Sequence, residues 1–263
     1  MSIIYDLSKL DEKTRKQIMR SRKYRAWFSK KPDAMLRLDG STKVIKGNKL
    51  GFRTAILYLA PANMSGQNVC AMAALALCIE PCLNTSGRGA MTGTQMSRLR
   101  KTLFWFQYRE EAIAMIKAEI AGFEKRAAKQ GWTLLVRLNG TSDIAWERHG
   151  IIQAYPNVQF YDYTKLANRR NIPANYDLTF SYSGAPAFMP QVRIAIGNGM
   201  RIAAVFRTRA IVESILAKNE TFMGMQVVDG DDTDIRHLDP AHCVTALYAK
   251  GKAKRDQSGF VVG

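Results

Sequence analysis

Histidine is scarce in this sequence, and acidic residues are outnumbered. The three histidines, His149, His237 and His242, lie too far apart for a paired-histidine metal or relaxase-type site. No Gly-x-x-x-x-Gly-Lys-Ser/Thr stretch occurs, which removes the phosphate loop of ordinary ATPases. The longest apolar stretches, such as Ala71 to Ile79, fall well short of the roughly eighteen residues that a bilayer span needs. No membrane partner is therefore expected, and the first residues have too short an apolar core for a secretory signal. Internal repeats, low-complexity tracts and linkers are absent as well. What is abundant is positive charge. Lysine and arginine number 39 against 22 acidic residues, a formal net charge of +17 over 263 residues, while hydrophobic residues make up 47% and allow a substantial core. A chain this basic attracts polyanions, and nucleic acid (DNA or RNA alike) is the partner expected inside a cell.

The charge is densest between Lys9 and Lys31, where ten basic residues meet two acidic ones. Ser8 and Asp11 read as a capping box, so one basic helix is expected over about residues 9–28. That helix would offer Arg20, Arg22, Lys23 and Arg25 to a phosphate backbone, with Tyr24, Trp27 and Phe28 beside them. A second basic stretch carries Lys250, Lys252 and Lys254. The organisation expected is a basic N-terminal helical arm over 1–45 and a single α/β domain over 46–263.

Within that domain Lys49 to Pro61 reads as a strand ended by proline. Met96, Leu99, Leu103, Phe106, Ile113, Ile116, Ile120, Phe123 and Ala127 repeat at three-four spacing. They predict a long helix or two abutting ones, closed by Gly131 and started by Thr94 as N-cap. Strands follow at 132–138, 158–163, 176–181, 200–206, 225–228, 243–249 and 259–262. A short helix is expected over 144–155, a single turn near 166–171 and a helix over 210–218. Alternation of strands and helices argues for parallel β/α units, and too few good helices remain for a full eight-fold barrel. The fold class expected is thus α/β, a partial or irregular β/α barrel with a mostly parallel sheet.

In such folds sites form where the carboxyl ends of strands converge. Asn139, Ser142 and Asp143 follow one strand, Tyr163 and Lys165 another, Ser181 and Ser183 a third. Asp229, Asp231, Asp232 and Asp234 follow a fourth. Carboxylates packed this closely repel unless a cation offsets them. Mg²⁺ is one such cation and would make Asp229 and Asp231 the centre of a nuclease; solvated turn residues are the plainer reading.

Three of the four cysteines, Cys70, Cys78 and Cys82, fall within thirteen residues. In a reducing compartment such clustering points to metal or chemistry rather than disulfides. The spacing Cys-x7-Cys-x3-Cys is not that of a zinc ribbon, and zinc would need Cys243 or His242 as a fourth ligand. An iron–sulfur cluster on three thiolates leaves one iron open to an exchangeable ligand. The alternative is a small-residue helix over Ala71 to Ile79 whose Cys78 packs as a modest hydrophobe, and Pro81 would end that helix so that Cys82 falls in a turn. Gly87, Arg88 and Gly89 then lead toward the long helix, where backbone N–H groups and the arginine can cradle an anion.

The segments Cys70…Cys78-x3-Cys82-Leu…Gly87-Arg88-Gly89, Arg98…Arg100-Lys101-Thr102, Val136 to Asp143, Phe160 to Lys165, Val228 to Asp234 and Ala249 to Val261 resemble a bacteriophage family called gene product eighty-eight. The resemblance covers roughly 45–263 and implies phage or prophage origin and residence in the host cytoplasm; it carries no activity across. A looser resemblance is to radical SAM enzymes, in which three cysteines follow the first strand of a partial β/α barrel. It implies a [4Fe-4S] cluster on Cys70, Cys78 and Cys82 and S-adenosylmethionine as cosubstrate. The function expected is radical-type modification of a nucleic acid or nucleotide. Asn139, Asp143, Lys165 and Asp229 would line the pocket, and Gly87, Arg88, Gly89 and Ser183 would hold the cofactor. The competing expectations are a non-catalytic nucleic-acid-binding protein of phage replication or host takeover, and a Mg²⁺-dependent nuclease.

Overall fold

A computed structural model describes residues 2–40 and 42–263; Met1 and Ser41, both inside the 1–45 segment, lie outside the described residues. Along the chain come α1 (Glu12–Arg20), α2 (Arg22–Phe28), β1 (Leu36–Leu38), α3 (Thr42–Lys46) and β2 (Phe52–Leu57). Next are α4 (Thr92–Gln107), α5 (Arg109–Gln130), β3 (Thr133–Arg137), β4 (Gln159–Thr164), β5 (Tyr176–Ser181) and α6 (Met189–Gly197). The last elements are β6 (Ile202–Phe206), α7 (Arg209–Ala217), β7 (Thr221–Phe222), β8 (Met225–Asp229) and β9 (Val244–Tyr248).

The strands form one mixed sheet of nine among the described residues, in the order β1-β2-β3-β4-β5-β6-β9-β8-β7. From β2 through β8 every neighbouring pair is parallel, and only the edge strands β1 and β7 pair antiparallel. Successive side chains along a strand alternate between faces, and here the two faces differ in chemistry. Ala55, Leu57, Leu134, Val136 and Phe160 share a core with Met96, Leu99 and Leu103 of α4 and Ile116 and Ile120 of α5. Phe180, Ile202, Ala204, Val244 and Ala246 do the same with Val192 of α6 and Val212 of α7. Each large apolar side chain buried this way contributes about 1.5–3 kcal/mol. These four helices therefore cover one face. The opposite face presents Thr54, Arg137, Tyr161, Tyr163, Thr179 and Thr245, and the segment around Asp234 and Ile235 closes over it.

The N-terminal segment joins the same core rather than standing off as an arm. Tyr5, Leu10, Ile18 and Phe28 are buried in the cluster that includes β2 and α4. The Tyr108 hydroxyl donates to the Ile4 carbonyl at 2.8 Å, and Arg100 donates to the Trp27 carbonyl at 3.0 Å. The single basic helix expected over 9–28 is two helices, because Ser21 accepts from the Tyr24 amide and starts a new one. Asp11 alone caps the first, through the Thr14 amide.

The three-four repeat is two abutting helices, α4 and α5, broken at Tyr108, and Gly131 closes α5 as expected, in the left-handed conformation with φ 70°. Other expectations need correction. The helix α4 begins two residues before Thr94, with Met91 at the cap. Residues 144–155 hold only a 3-10 turn at Trp146–Arg148. Residues 259–262 contribute a single bridge, Val262 to Phe206, instead of a strand.

Candidate functional site

The carboxyl ends of β2, β3, β4 and β5 open into a cavity of about 550 Å³. Cys70, Cys78 and Cys82 all line it, together with Asp143, Tyr163, Thr164, Lys165 and Ser181. The cysteine segment is not a helix. From residue 71 to 77 it is a run of turns, ended by Leu77 at φ 53°, whose irregular backbone sends the Cys78 amide back to the Ala73 carbonyl at 3.1 Å. Cys70 sits nearest the sheet. Its backbone bridges Asp143 in parallel fashion, and its sulfur accepts from the Ala62 amide at 3.4 Å. Pro81 is followed by Cys82 in a turn, as expected, and the Cys82 sulfur accepts from the Asn84 amide at 3.5 Å.

Asp143 and Lys165 form the floor. The Asp143 carboxylate accepts from the Thr164 hydroxyl at 2.8 Å and the Lys165 amide at 2.7 Å, which ties the end of β3 to the end of β4. Burial raises its carboxyl above the ordinary value, against the pull of those two donors. The Lys165 ammonium donates to the carbonyl and hydroxyl of Ser181 at 3.0 and 2.9 Å. It lies 5.0 Å from the Phe260 ring centre and 5.4 Å from that of Phe188. Among the described residues no carboxylate oxygen pairs with it, although the residue is only 9% exposed. Burial lowers its proton affinity, while Cys78 and Asp143 act in the opposite sense.

The thiols are protonated in this setting. Burial pushes Cys70 up to about 12 and raises Cys78 and Cys82 as well. Lys165 opposes the shift at Cys78, and Arg98 and Lys165 oppose it at Cys82. Arg98 is held there by Asn84 and by the face of Tyr58, 4.9 Å away. Two cations thus face three sulfurs.

Several expected site residues have other work. Asn139 is buried and organises its own turn, its side-chain oxygen accepting from Ser142, the Ile144 amide and the Trp146 indole at 2.8–2.9 Å. Ser183 is fully buried and donates to the Ala76 carbonyl at 2.8 Å, fastening the cysteine loop to the sheet. Gly87, Arg88 and Gly89 form a 3-10 turn beside the cavity without lining it, and Arg88 points to solvent. Asp229 lies outside the cavity and accepts from the Asp231 amide at 2.7 Å. The acidic loop is offset by protein cations: Asp231 meets Lys250 at 2.7 Å and Lys43 at 3.8 Å, and Asp234 meets Arg137 and, at 3.6 Å, Lys43. Cys243 immediately precedes β9 and so lies at the amino ends of the parallel strands, away from the three cysteines at their carboxyl ends, while His242 is exposed with φ 52°. Neither completes a four-ligand site with them. Arg20, Arg22, Lys23 and Arg25 are exposed on α1 and α2. Of the second basic stretch, Lys252 lines the cavity and Lys250 is bound to Asp231.

Thr141, Thr164, Asn84 and Arg98 were not among the sequence-based candidates. Thr164 and Thr141 sit inside strand-end motifs, which was the available signal. Asn84 and Arg98 reach the site only because α4 folds back beside the cysteine loop.

Gly140 shows how tightly the floor is built. A Cβ there would lie 2.6 Å from Ile56 Cγ2 and 2.7 Å from the Leu57 carbonyl oxygen. Gly140→Ala is expected to cost about 1–3 kcal/mol through overpacking, read as a lower urea midpoint; an unchanged midpoint would mean that β2 and the 139–143 turn are not pressed together.

The family comparison fits these positions. A family model described as Gene product 88 matches residues 27–263. The chain belongs to the Gene product 88 family. The Gene product 88 match takes in all the cavity residues and begins inside α2, closer to the N-terminus than the motifs that carried the resemblance. Neither a curated protein nor a solved structure matches the chain.

Three soft thiol donors on one wall suit iron–sulfur or other thiophilic centres. Among the described residues no group of three or more His, Cys, Asp or Glu side chains is gathered at metal-binding distances. No helix of the described residues is long and apolar enough to cross a membrane.

Proposed function

We propose that this bacteriophage-family protein is an iron–sulfur enzyme of radical SAM-like type acting on nucleic acid or a nucleotide, with the sheet serving as a partial β/α barrel. The observation that carries the reading is the convergence of Cys70, Cys78 and Cys82 on a single cavity at the carboxyl ends of the parallel strands. Two features support the barrel: strands β2 to β6 follow one another in order, and α4 to α7 all cover the same face.

Cys70, Cys78 and Cys82 would hold a [4Fe-4S] cluster, which would supply one-electron reduction chemistry toward S-adenosylmethionine. The chain's own residues do the rest. The three thiols would have to lose their protons to bind iron. Lys165 and Arg98 place positive charge beside the thiolates, which stabilises the anionic centre in a site of low dielectric. Asp143, fixed by Thr164 and the Lys165 amide, presents a carboxyl oriented for an ammonium or hydroxyl of a bound small molecule. Apolar walls from Ala62, Met72 and Ala73 keep water away from the reacting groups.

The test is anaerobic. Protein loaded with iron and sulfide is mixed with S-adenosylmethionine and a one-electron reductant, and 5′-deoxyadenosine is followed by chromatography. Formation of 5′-deoxyadenosine that depends on the loaded iron is the expected result. Intact S-adenosylmethionine beside a fully loaded, reduced protein would overturn the radical SAM-like reading.

A further inference from the structure

Exposed apolar side chains are not scattered evenly over this protein. Of the eleven large hydrophobic residues exposed among those described, six fall between residues 64 and 91: Met64, Leu75, Leu77, Ile79, Leu83 and Met91. Met64, Ile79 and Leu83 line the cavity, and Met91 follows Ala90, which lines it too. Leu75 and Leu77 lie on the turns that carry Cys70 and Cys78. The hydrophobic effect disfavours such a cluster in water, and a patch of this kind marks a surface that something covers.

Charge says what covers it. The turn Gly251–Arg255 is pressed against this lip: the Lys252 amide donates to the Thr85 hydroxyl at 3.2 Å, and a Cβ on Gly251 would come within 2.8 Å of Ser86. Lys252, Lys254 and Arg255 are exposed on that turn, and Arg88 is exposed on the turn Gly87–Ala90. The acid that meets them is Glu80, paired with Lys252 at 2.9 Å with both side chains in solvent, an arrangement of little strength that a competing anion can displace. Apolar knobs beside a row of cations suit a polyanion whose apolar rings are bare.

We infer that this lip binds single-stranded nucleic acid, with unpaired bases against Met64, Leu77, Ile79, Leu83 and Met91 and phosphates on Lys252, Lys254 and Arg255. Leucine, isoleucine and methionine cover the bare faces of unpaired bases, and the cations neutralise phosphates. A duplex buries its base faces, leaving this lip nothing apolar to cover. The cavity floor also lies below the lip, so a base inside a duplex does not reach it; one base must leave the strand to face Asp143 and Lys165. The inference rests on the nucleic-acid part of the proposed function and moves the contact surface from α1 and α2 to the cavity mouth.

Fluorescence anisotropy with a labelled twelve-nucleotide single strand, as DNA and as RNA, and the corresponding hairpin duplex tests it on the full chain. The expected result is at least roughly tenfold preference for a single strand over the duplex. Leu83→Asp and Met91→Asp, both at exposed positions, are expected to weaken single-strand binding by about tenfold with an unchanged melting temperature. Lys252→Gln with Lys254→Gln is expected to lower the salt slope by roughly one for each phosphate left without its lysine. Equal or tighter duplex binding, or lip variants that bind single strands like the wild type, would overturn the inference. A shift of oligomeric state in the lip variants without a change in oligonucleotide affinity would do the same, assigning the patch to a second copy of the chain. Iron is assayed on the same samples. Single-strand preference in a protein that takes up no iron defeats only the cluster reading, and iron uptake without the preference defeats only the lip.

Discussion

Replacing any one of Cys70, Cys78 or Cys82 by serine is expected to bring the iron content of anaerobically loaded protein down to background, with loss of visible absorbance. Cys243→Ser is the control, because that residue is buried at the amino ends of the parallel strands, away from the cavity, and it is expected to leave iron uptake intact. The pH dependence has a definite sign. Burial lifts the Cys70 thiol from its ordinary value of 9.0 up to about 12, and Cys78 and Cys82 move the same way. In metal-free protein these groups hold their protons through neutral pH, so loading must release them and is favoured as pH rises. The folded state also binds more protons than the unfolded one between about pH 9 and 12, so metal-free protein loses stability as pH climbs through that window. Cluster loading and metal-free stability should therefore respond to alkali in opposite directions. Iron uptake that ignores all three substitutions, or that falls as pH rises from 7 to 9, would contradict this assignment.

Asp234→Ala is expected to destabilise the fold by about 3–5 kcal/mol, the cost of breaking a buried ion pair from one side. Arg137 and Asp234 are 8% and 5% exposed and in direct contact, and Lys43 stands 3.6 Å from the same carboxylate. Burial alone would raise the Asp234 carboxyl, but Arg137, then Lys43 and Arg236, hold it below the usual carboxylate range. Its contribution is therefore present near neutrality and lost as pH falls through that depressed value. Removing the carboxylate takes away the closest partner of the Arg137 guanidinium and leaves it Asp162, at 3.9 Å, and the rings of Tyr161 and Tyr163, whose centres lie 5.4 and 5.2 Å away. The double variant Arg137→Met with Asp234→Leu is expected to recover most of the loss, since apolar residues of similar size replace such pairs at little cost. Chemical denaturation of the metal-free protein reads both changes. A loss under about 1 kcal/mol for Asp234→Ala would show the polar face of the sheet to be hydrated rather than closed by this segment.

The parallel strands were legible because each is a short apolar run that ends in polar residues, as at Val136-Arg137-Leu138-Asn139 and Phe160 to Lys165. The pair α4 and α5 was legible from its three-four repeat. What escaped notice depended on side chains that intercept backbone groups. Asn139 takes up the Ile144 amide and the Trp146 indole, so the chain after β3 settles into a turn where a helix was expected. Ser21 does the same for the Tyr24 amide and divides the basic helix. In sequence the acidic run at Asp229 to Asp234 reads as solvated turn residues, with a cation site as the alternative. Its partners Lys43, Arg137 and Lys250 come from three remote parts of the chain, and no local pattern announces them. The cysteine segment was better placed. Its position after the first parallel strand, and Pro81 before Cys82, anticipated a loop at the cavity, while the companions Asn84, Arg98 and Ser183 were set by tertiary packing.

Iron K-edge X-ray absorption on anaerobically loaded full-length protein tests the central claim most directly. The account predicts a first shell made of sulfur with an iron–iron distance behind it, abolished in the protein with Cys70, Cys78 and Cys82 all replaced by serine. A first shell of oxygen and nitrogen, or protein that retains no iron under those conditions, would contradict it.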